Sequence, residues 1–283
     1  ADKLDILNPV SGQKAVIRKS MSYTPAINCT AIVTCIGAGG GGGASGSGQA
    51  VSTGGAAGGV CQSELSLTAG TTYTITVGAG GAGGTTTTSS ANGVTGGTTS
   101  FTGSNITDMT ATGGTQGKHT TQSTTSSAGG TGSGGSIVNR TGGGTSVPVA
   151  AVAYGCTGGA ALGFFENGKS VTTTGASVTR VDAAGIDIPP IDVVPQLKPE
   201  LKAGAGAPND QLDLMVATAS DGDFGCGGGF AYNDRTTGGH IYANGGAGGI
   251  GAGGGSAYAR NTNSSETSTG GKGGDGMIIL EFV

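Results

Sequence analysis

Few side chains in this chain have types and spacings that suggest chemistry. Gly163-Phe-Phe-Glu-Asn-Gly168-Lys169-Ser170 matches the phosphate-binding P-loop letter for letter. That loop needs a strand before it and a helix beginning at the Lys, whose N-terminus holds the phosphate. Here the following residues are Val171-Thr-Thr-Thr-Gly-Ala-Ser-Val-Thr, a strand-like run broken by glycine. Asn167-Gly168 therefore reads as a hairpin turn, and no cofactor is expected. Only His119 and His240 exist, and no nucleophile elbow of the G-x-S-x-G type leads from a strand into a helix. The acids Asp182, Asp187, Asp192, Glu200, Asp210, Asp213, Asp221 and Asp223 form no calcium loop; Asp221-Gly-Asp223 is the nearest fragment and reads as solvated turn carboxylates. Nothing singles out a carboxylate pair for glycan hydrolysis. The sequence predicts no catalytic residue, no metal site and no enzyme.

Five cysteines, Cys29, Cys35, Cys61, Cys156 and Cys226, match no zinc spacing and contain no C-x-x-C. Cys29 and Cys35 fall on one face of an expected strand. Cys156 and Cys226 sit in similar surroundings, Tyr-Gly-Cys-Thr-Gly-Gly and Phe-Gly-Cys-Gly-Gly-Gly. Two readings stand for that pair: a disulfide, if their glycine tracts lie side by side, or buried thiols. Aromatic residues in glycine surroundings are a stronger signal. Phe164, Phe165, Tyr232, Tyr242 and Tyr258 stand where other side chains are tiny. They either plug a thin core or offer contact area at low entropic cost. Together with His240 they are the candidate receptor contacts, Tyr242 and Tyr258 foremost.

These residues must be positioned by an unusual scaffold. Glycine supplies 63 of 283 residues, with 8 prolines and no Gly-X-Y register, which excludes collagen. The tracts recur at Gly37–Gly43 (within Ile36–Gly59), Gly78–Gly84, Gly129–Gly135, Gly225–Gly229, Gly245–Gly255 and Gly270–Gly276. Each glycine loses much backbone freedom on folding, so the tracts are either disordered or packed where a Cβ would not fit. Packing is the reading adopted. Charged residues are 11% and net charge is -4, with no basic stripe for nucleic acid. Apolar residues are 35%, so a core of large side chains would be thin and needs backbone packing or oligomerisation. No run is long enough to insert in a membrane, and Ala1 to Tyr23 has no signal-peptide core.

Strands are expected at Lys14–Lys19, Ile27–Ile36, Cys61–Leu67, Tyr73–Val77, Thr98–Phe101, Ile106–Thr110 and Met277–Val283. Tyr73, Ile75 and Val77 share one face, with threonines on the other. The Thr/Ser/Gly stretch from Thr85 to Gly144 reads as long surface loops. Residues 1–24 read as an N-terminal docking segment. Residues 25–283 read as one glycine-rich β domain, with a Pro/Asp-rich insertion at 171–223. One short helix is expected near Asn209–Ala217.

The order of strand, tract and strand, the run from Leu67 through Thr-Ala-Gly-Thr-Thr-Tyr-Thr-Ile-Thr-Val to Gly84, and the closing Gly270–Phe282 resemble the glycine-rich domain of tail fibre and tail tip proteins of tailed bacteriophages. The resemblance covers Thr24 to Val283. It implies an all-β fold, with β-sandwich-like strands at both ends, stacked polyglycine II tracts, long loops and little or no helix. It also implies a virion protein, made in the host cytoplasm, that acts as a homotrimeric adhesin. Its partners would be other tail or fibre proteins, reached through the N-terminal segment, and a host surface glycan or outer-membrane protein. Alternatives are a virion structural protein without receptor binding (head or collar fibre, decoration protein) and an ice-binding or cell-surface glycine-rich protein.

Overall fold

The computed structural model describes residues 2–6, 8–46, 50–87, 89–120, 125–147, 154–163, 166–172, 179–181, 183–185, 203–205, 207–209, 216–235, 240–261 and 266–283. Among them every regular element is a strand. A β-sandwich forms one end. Its first sheet runs in the order Lys3–Leu4, Met21–Tyr23, Tyr73–Thr76, Thr99–Thr102, Met109–Ala111, Gly132–Ser133. Its second runs Val138–Arg140, Val60–Leu67, Cys29–Ile36, Met277–Phe282, Lys14–Ile17. Period-two alternation makes the sandwich: Tyr73 and Ile75 are buried while Thr74 and Thr76 face water. Tyr23, Phe101 and Met109 of one sheet meet Leu65, Leu67, Leu280 and Phe282 of the other. Tyr73 stacks on Phe101 at 5.5 Å, and Tyr23 meets Phe282 edge-on at 6.0 Å.

The N-terminal residues enter this sandwich. Lys14–Ile17 pairs antiparallel with Met277–Phe282, Met21–Tyr23 pairs with Tyr73–Thr76, and Tyr23 is fully buried. Residue 24 is therefore no packing boundary. Only the first dozen or so residues lie at the margin.

Sandwich strands run directly into glycine tracts, and the tract at 37–43 occupies the centre. Its N–H groups point in three directions in turn. Gly37, Gly40 and Gly43 donate to Gly59, Ala56 and Thr53; Ala38 and Gly41 donate to Gly97 and Val94; Gly39 and Gly42 donate to Gly274 and Gly271, all at 2.8–3.1 Å. Its carbonyls accept with the same period: Ala38 and Gly41 from Gly114 and Gly117, Gly39 and Gly42 from Gly81 and Gly84, Gly40 and Gly43 from Gly254 and Ala257. Three residues per turn with no internal hydrogen bonds is the polyglycine II arrangement, and every N–H of the tract and the carbonyls of residues 38–43 pair with a neighbour. The neighbours stand so close that a Cβ on Gly41 would overlap the Ala82 carbonyl oxygen, and one on Gly39 the Ala252 oxygen. Glycine's second Cα hydrogen takes that place, aimed at a carbonyl. Space, rather than backbone torsion, is what demands glycine. Among the described glycines, only Gly12, Gly70, Gly134, Gly225 and Gly251 have positive φ.

Toward the rim the requirement lapses at one residue in three, while a Cβ on Gly80 or Gly83 would still overlap the carbonyl oxygen of Gly273 or Gly270. Gly78, Gly81 and Gly84 are buried, while Ala79, Ala82 and Thr85 are exposed. The same spacing corrects the reading of Thr85 to Gly144 as surface loops. Gly93 and Gly96 abut the central tract, Gly114 abuts Ala56, and Gly142 abuts Ala57. The segments 93–97, 112–117, 128–130 and 142–144 are thus tracts of the same lattice. Their Thr and Gln side chains point outward, so isolated glycines suffice.

Beyond the lattice the tracts open into short strands in four small sheets. One sheet contains Ala44–Ser45, Ala231–Arg235, Ala257–Asn261 and Ala207–Asn209, all leaving the lattice, with Ser90–Ala91 antiparallel at its edge. A second contains Val216–Thr218, Ile241–Asn244 and Glu266–Thr269, all returning to it, with Thr85–Thr86 antiparallel at the edge. The strand pairs 207–209 with 216–218, 231–235 with 241–244 and 257–261 with 266–269 are therefore the outgoing and returning legs of three arches, and the legs stack in register. Between their legs lie small residues, Ala231, Ala257 and Ala259 against Ile241, Ala243 and Ala219. Of the expected helix near Asn209–Ala217, residues 210–215 lie outside the described residues; its described ends are strand, with Asn209 ending one and Val216–Thr218 forming another, because the parallel partners at 231–233 and 242–244 complete their hydrogen bonding. Much of the 171–223 insertion lies outside the described residues. Its described parts join the lattice, with Gly204 donating to Gly227, Ser220 to Ala205, and Gly227 to Ala184.

Two outcomes follow. Gly41→Ala should lower unfolding free energy by about 2 kcal/mol or more, or prevent folding, whereas Ala82→Ser should change it by less than about 0.5 kcal/mol; chemical denaturation reads both. Asp275 accepts hydrogen bonds from the Gly80 N–H and the Lys272 ammonium, each at 2.8 Å, tying two tracts together. Burial pushes its carboxyl up, but those two donors outweigh burial and hold it below the ordinary value. A carboxyl depressed on folding stabilises above its unfolded value and loses that contribution as pH falls through its folded one. Asp275→Asn should therefore be less stable than the parent at neutral pH, with the gap closing below pH about 3.9.

Candidate binding face

The returning legs form the outer layer of the arches, and one face of that sheet looks into solvent. Register places Val216, Tyr242 and Thr267 side by side in one row, and Thr218, Asn244, Thr269 and Thr85 in the next. The intervening positions, Ala217, Ala243 and Ser268, point inward and are buried. Tyr242 is 41% exposed and Val216 50%. The ring of His240 lies 4.6 Å from that of Tyr242, tilted by 40°, and His240 Nε2 is 2.8 Å from the Thr267 hydroxyl. Beneath them Asn233 donates to the Tyr242 carbonyl at 2.9 Å. Tyr242 is thus held from its side and from below while its outer face stays open. None of the seven positions carries a charge.

Two of the expected contacts lie elsewhere. Tyr232 and Tyr258 are 1% and 0% exposed and stack on each other at 5.1 Å and 16°. They occupy outgoing legs, whose sheet is an inner layer: their rings face the neighbouring sheet that contains Tyr154–Thr157, and Phe230 joins them. They are core, not surface. Chain order carried the distinguishing signal. Tyr232 and Tyr258 follow a glycine tract, whereas Tyr242 precedes one, so they fall on opposite legs of an arch. Phe164 and Phe165 lie outside the described residues.

The P-loop match forms no phosphate cradle. Gly168 donates to Thr141, Ala161 to Lys169, and Val171 to Gly144, so residues 168–171 run as an extended tract beside 141–144. No helix begins at Lys169. The chain does reverse between Ala161 and Lys169, but neither Asn167 nor Gly168 has positive φ, so this is not the Asn-Gly hairpin turn expected. His119 lies near Asn92, its Nδ1 3.1 Å from Oδ1. Cys35 and Cys61 face each other across adjacent strands in the sandwich core. Cys35 donates its hydrogen bond to Cys61, so that bond and burial hold the Cys35 thiol up, while accepting it draws the Cys61 thiol down. Cys226 is buried, and the side chain of Cys156 lies outside the described residues, as does any pairing between the two. Among the described residues, no three His, Cys, Asp or Glu side chains cluster closely enough to hold a metal ion. No helix there is long and apolar enough to cross a membrane.

A family model described as a glycine-rich domain matches residues 16–283, from the first long sandwich strand to the end. The chain belongs to the glycine-rich domain family. The match takes in the sandwich, the lattice and the arches alike, so this glycine-rich domain comprises all three. No curated protein matches the chain.

The layer assignment has a direct check. Tyr258→Ala should cost about 3–5 kcal/mol of stability, as for other fully buried aromatic truncations. Tyr242→Ala should cost less than about 1 kcal/mol. Equal costs in thermal and chemical unfolding would contradict the layering.

Proposed function

We propose that this glycine-rich domain is a virion protein at a phage tail fibre or tail tip, and that it binds the host cell surface through its arch end. The observation that carries this reading is the polarity of the molecule. The tracts at 37–43, 78–84 and 270–276 each have a sandwich strand at one end and an arch-sheet strand at the other, the tracts at 219–230 and 245–256 join one arch to the next, and neighbouring tracts are hydrogen-bonded to one another along the lattice. A tract of seven residues spans roughly 20 Å at the rise of such helices. That spacer holds the arch strands away from the sandwich on a stiff base, which is how binding surfaces are displayed elsewhere. The likeness of Leu67–Gly84 and Gly270–Phe282 to phage tail proteins points the same way. In this reading the N-terminal segment, whose first strand forms an edge of the sandwich, attaches to other tail or fibre proteins. The chain acts as a homotrimer, and its partner outside the virion is a host surface glycan or outer-membrane protein. The role is binding rather than turnover, and no cofactor takes part.

Purified protein should compete with virions for adsorption to the host, and antibody against it should label the tail. Labelling of the capsid, with no competition at saturating protein, would instead support a head or collar fibre. Native mass measurement should give three chains.

A further inference from the structure

We infer that the Tyr242 face binds a neutral sugar residue, with the Tyr242 ring as the stacking platform. The inference rests on the host-binding reading above and names the class of ligand. A pyranose ring offers an apolar face of C–H groups rimmed by hydroxyls. The Tyr242 face has the matching layout. One exposed aromatic ring, with Val216 beside it, supplies flat apolar contact. Around it, Thr267, Thr218 and Asn244 supply hydroxyl and carboxamide groups at the separations of neighbouring strands and alternate residues. His240 braces the ring from the side, which removes much of the ordering cost of binding.

Size and charge decide against other occupants. Among the described residues, two rows across four strands make a face of roughly 20 Å by 10 Å. That is far below the ~800 Å² per partner of a stable protein interface. Among the described residues of the face there is no Asp, Glu, Lys or Arg to serve as a handle for a phosphate, a uronic acid or a cationic group. The outer face of the first sandwich sheet makes a useful contrast. It carries Ser22, Thr74, Thr102, Thr76 and Ser100 in register but no ring. Hydroxyls alone compete poorly with water, so the inference places the sugar on the arches and not there.

The test uses the full chain, with methyl glycosides of glucose, galactose, mannose and N-acetylglucosamine and their short oligomers as probes. Saturation-transfer NMR and calorimetry read binding. At least one probe should bind. Tyr242→Ala should weaken it about tenfold or more, the size expected of a central aromatic contact. Tyr242→Phe should stay within about threefold, because the ring is kept, and Thr76→Ala should leave affinity unchanged. Unfolding curves for the variants exclude loss of fold as the cause. Unchanged affinity in Tyr242→Ala, or equal losses in Tyr242→Phe and Tyr242→Ala, would overturn the platform. If no neutral probe binds while purified protein still blocks adsorption, the sugar assignment fails and the host-binding reading stands. If a probe binds through Tyr242 but the protein never blocks adsorption, the sugar site stands and the host-binding reading fails.

Discussion

The molecule depends on one close approach. In the lattice, the position where a side chain would begin is already taken by a neighbour's carbonyl oxygen. That single steric fact explains the composition, because no other residue tolerates it. It also explains the order. A segment with no hydrogen bonds of its own is stable only if neighbours on all sides accept and donate for it, and the central tract has such neighbours throughout. Bulky hydrophobic side chains, scarce in this chain, are then needed chiefly outside the lattice, in the inner layer of the arches and in the sandwich. There Tyr, Phe and Leu pack in the ordinary way.

Much of the fold was legible. The sandwich strands announce themselves by alternation and β-branched content, and six of the seven expected strands fall within two residues at each end. The other, Ile106–Thr110, begins later, at Met109, because Asn105 adopts positive φ at a turn. The long glycine tracts were legible because their composition allows only disorder or close packing. The rim tracts were not. Asn92-Gly-Val-Thr-Gly-Gly and Thr112-Gly-Gly-Thr-Gln-Gly look like polar loops, since neither helix nor strand period fits them. The period to seek was three, with glycine facing inward and anything at all facing out.

The binding face was only half legible. Tyr242 and His240 were picked out because they are large among small residues, but Tyr232 and Tyr258 share that property and are core. Flanking residues do not separate them: Ala-Tyr-Asn, Ile-Tyr-Ala and Ala-Tyr-Ala all alternate alike. What separates them is the direction of the chain relative to the lattice, and this emerges only once the legs of the arches are assigned to layers. A local pattern thus fixes which side of a strand a ring occupies, while the stacking of sheets fixes whether that side is wet.

The bonding partners of the central tract come from across the whole sequence. Gly39 and Gly42 wait for Gly274 and Gly271, and Gly40 and Gly43 for the segment around Gly254 and Ala257. Such a topology has high contact order, and loop closure must precede nearly all of the reward. A chain emerging from the ribosome would hold Gly39 and Gly42 without their acceptors until Gly271 and Gly274 had been made. Acquisition of structure is therefore close to all-or-none with respect to chain length, and C-terminal truncation removes the middle of the molecule rather than its edge.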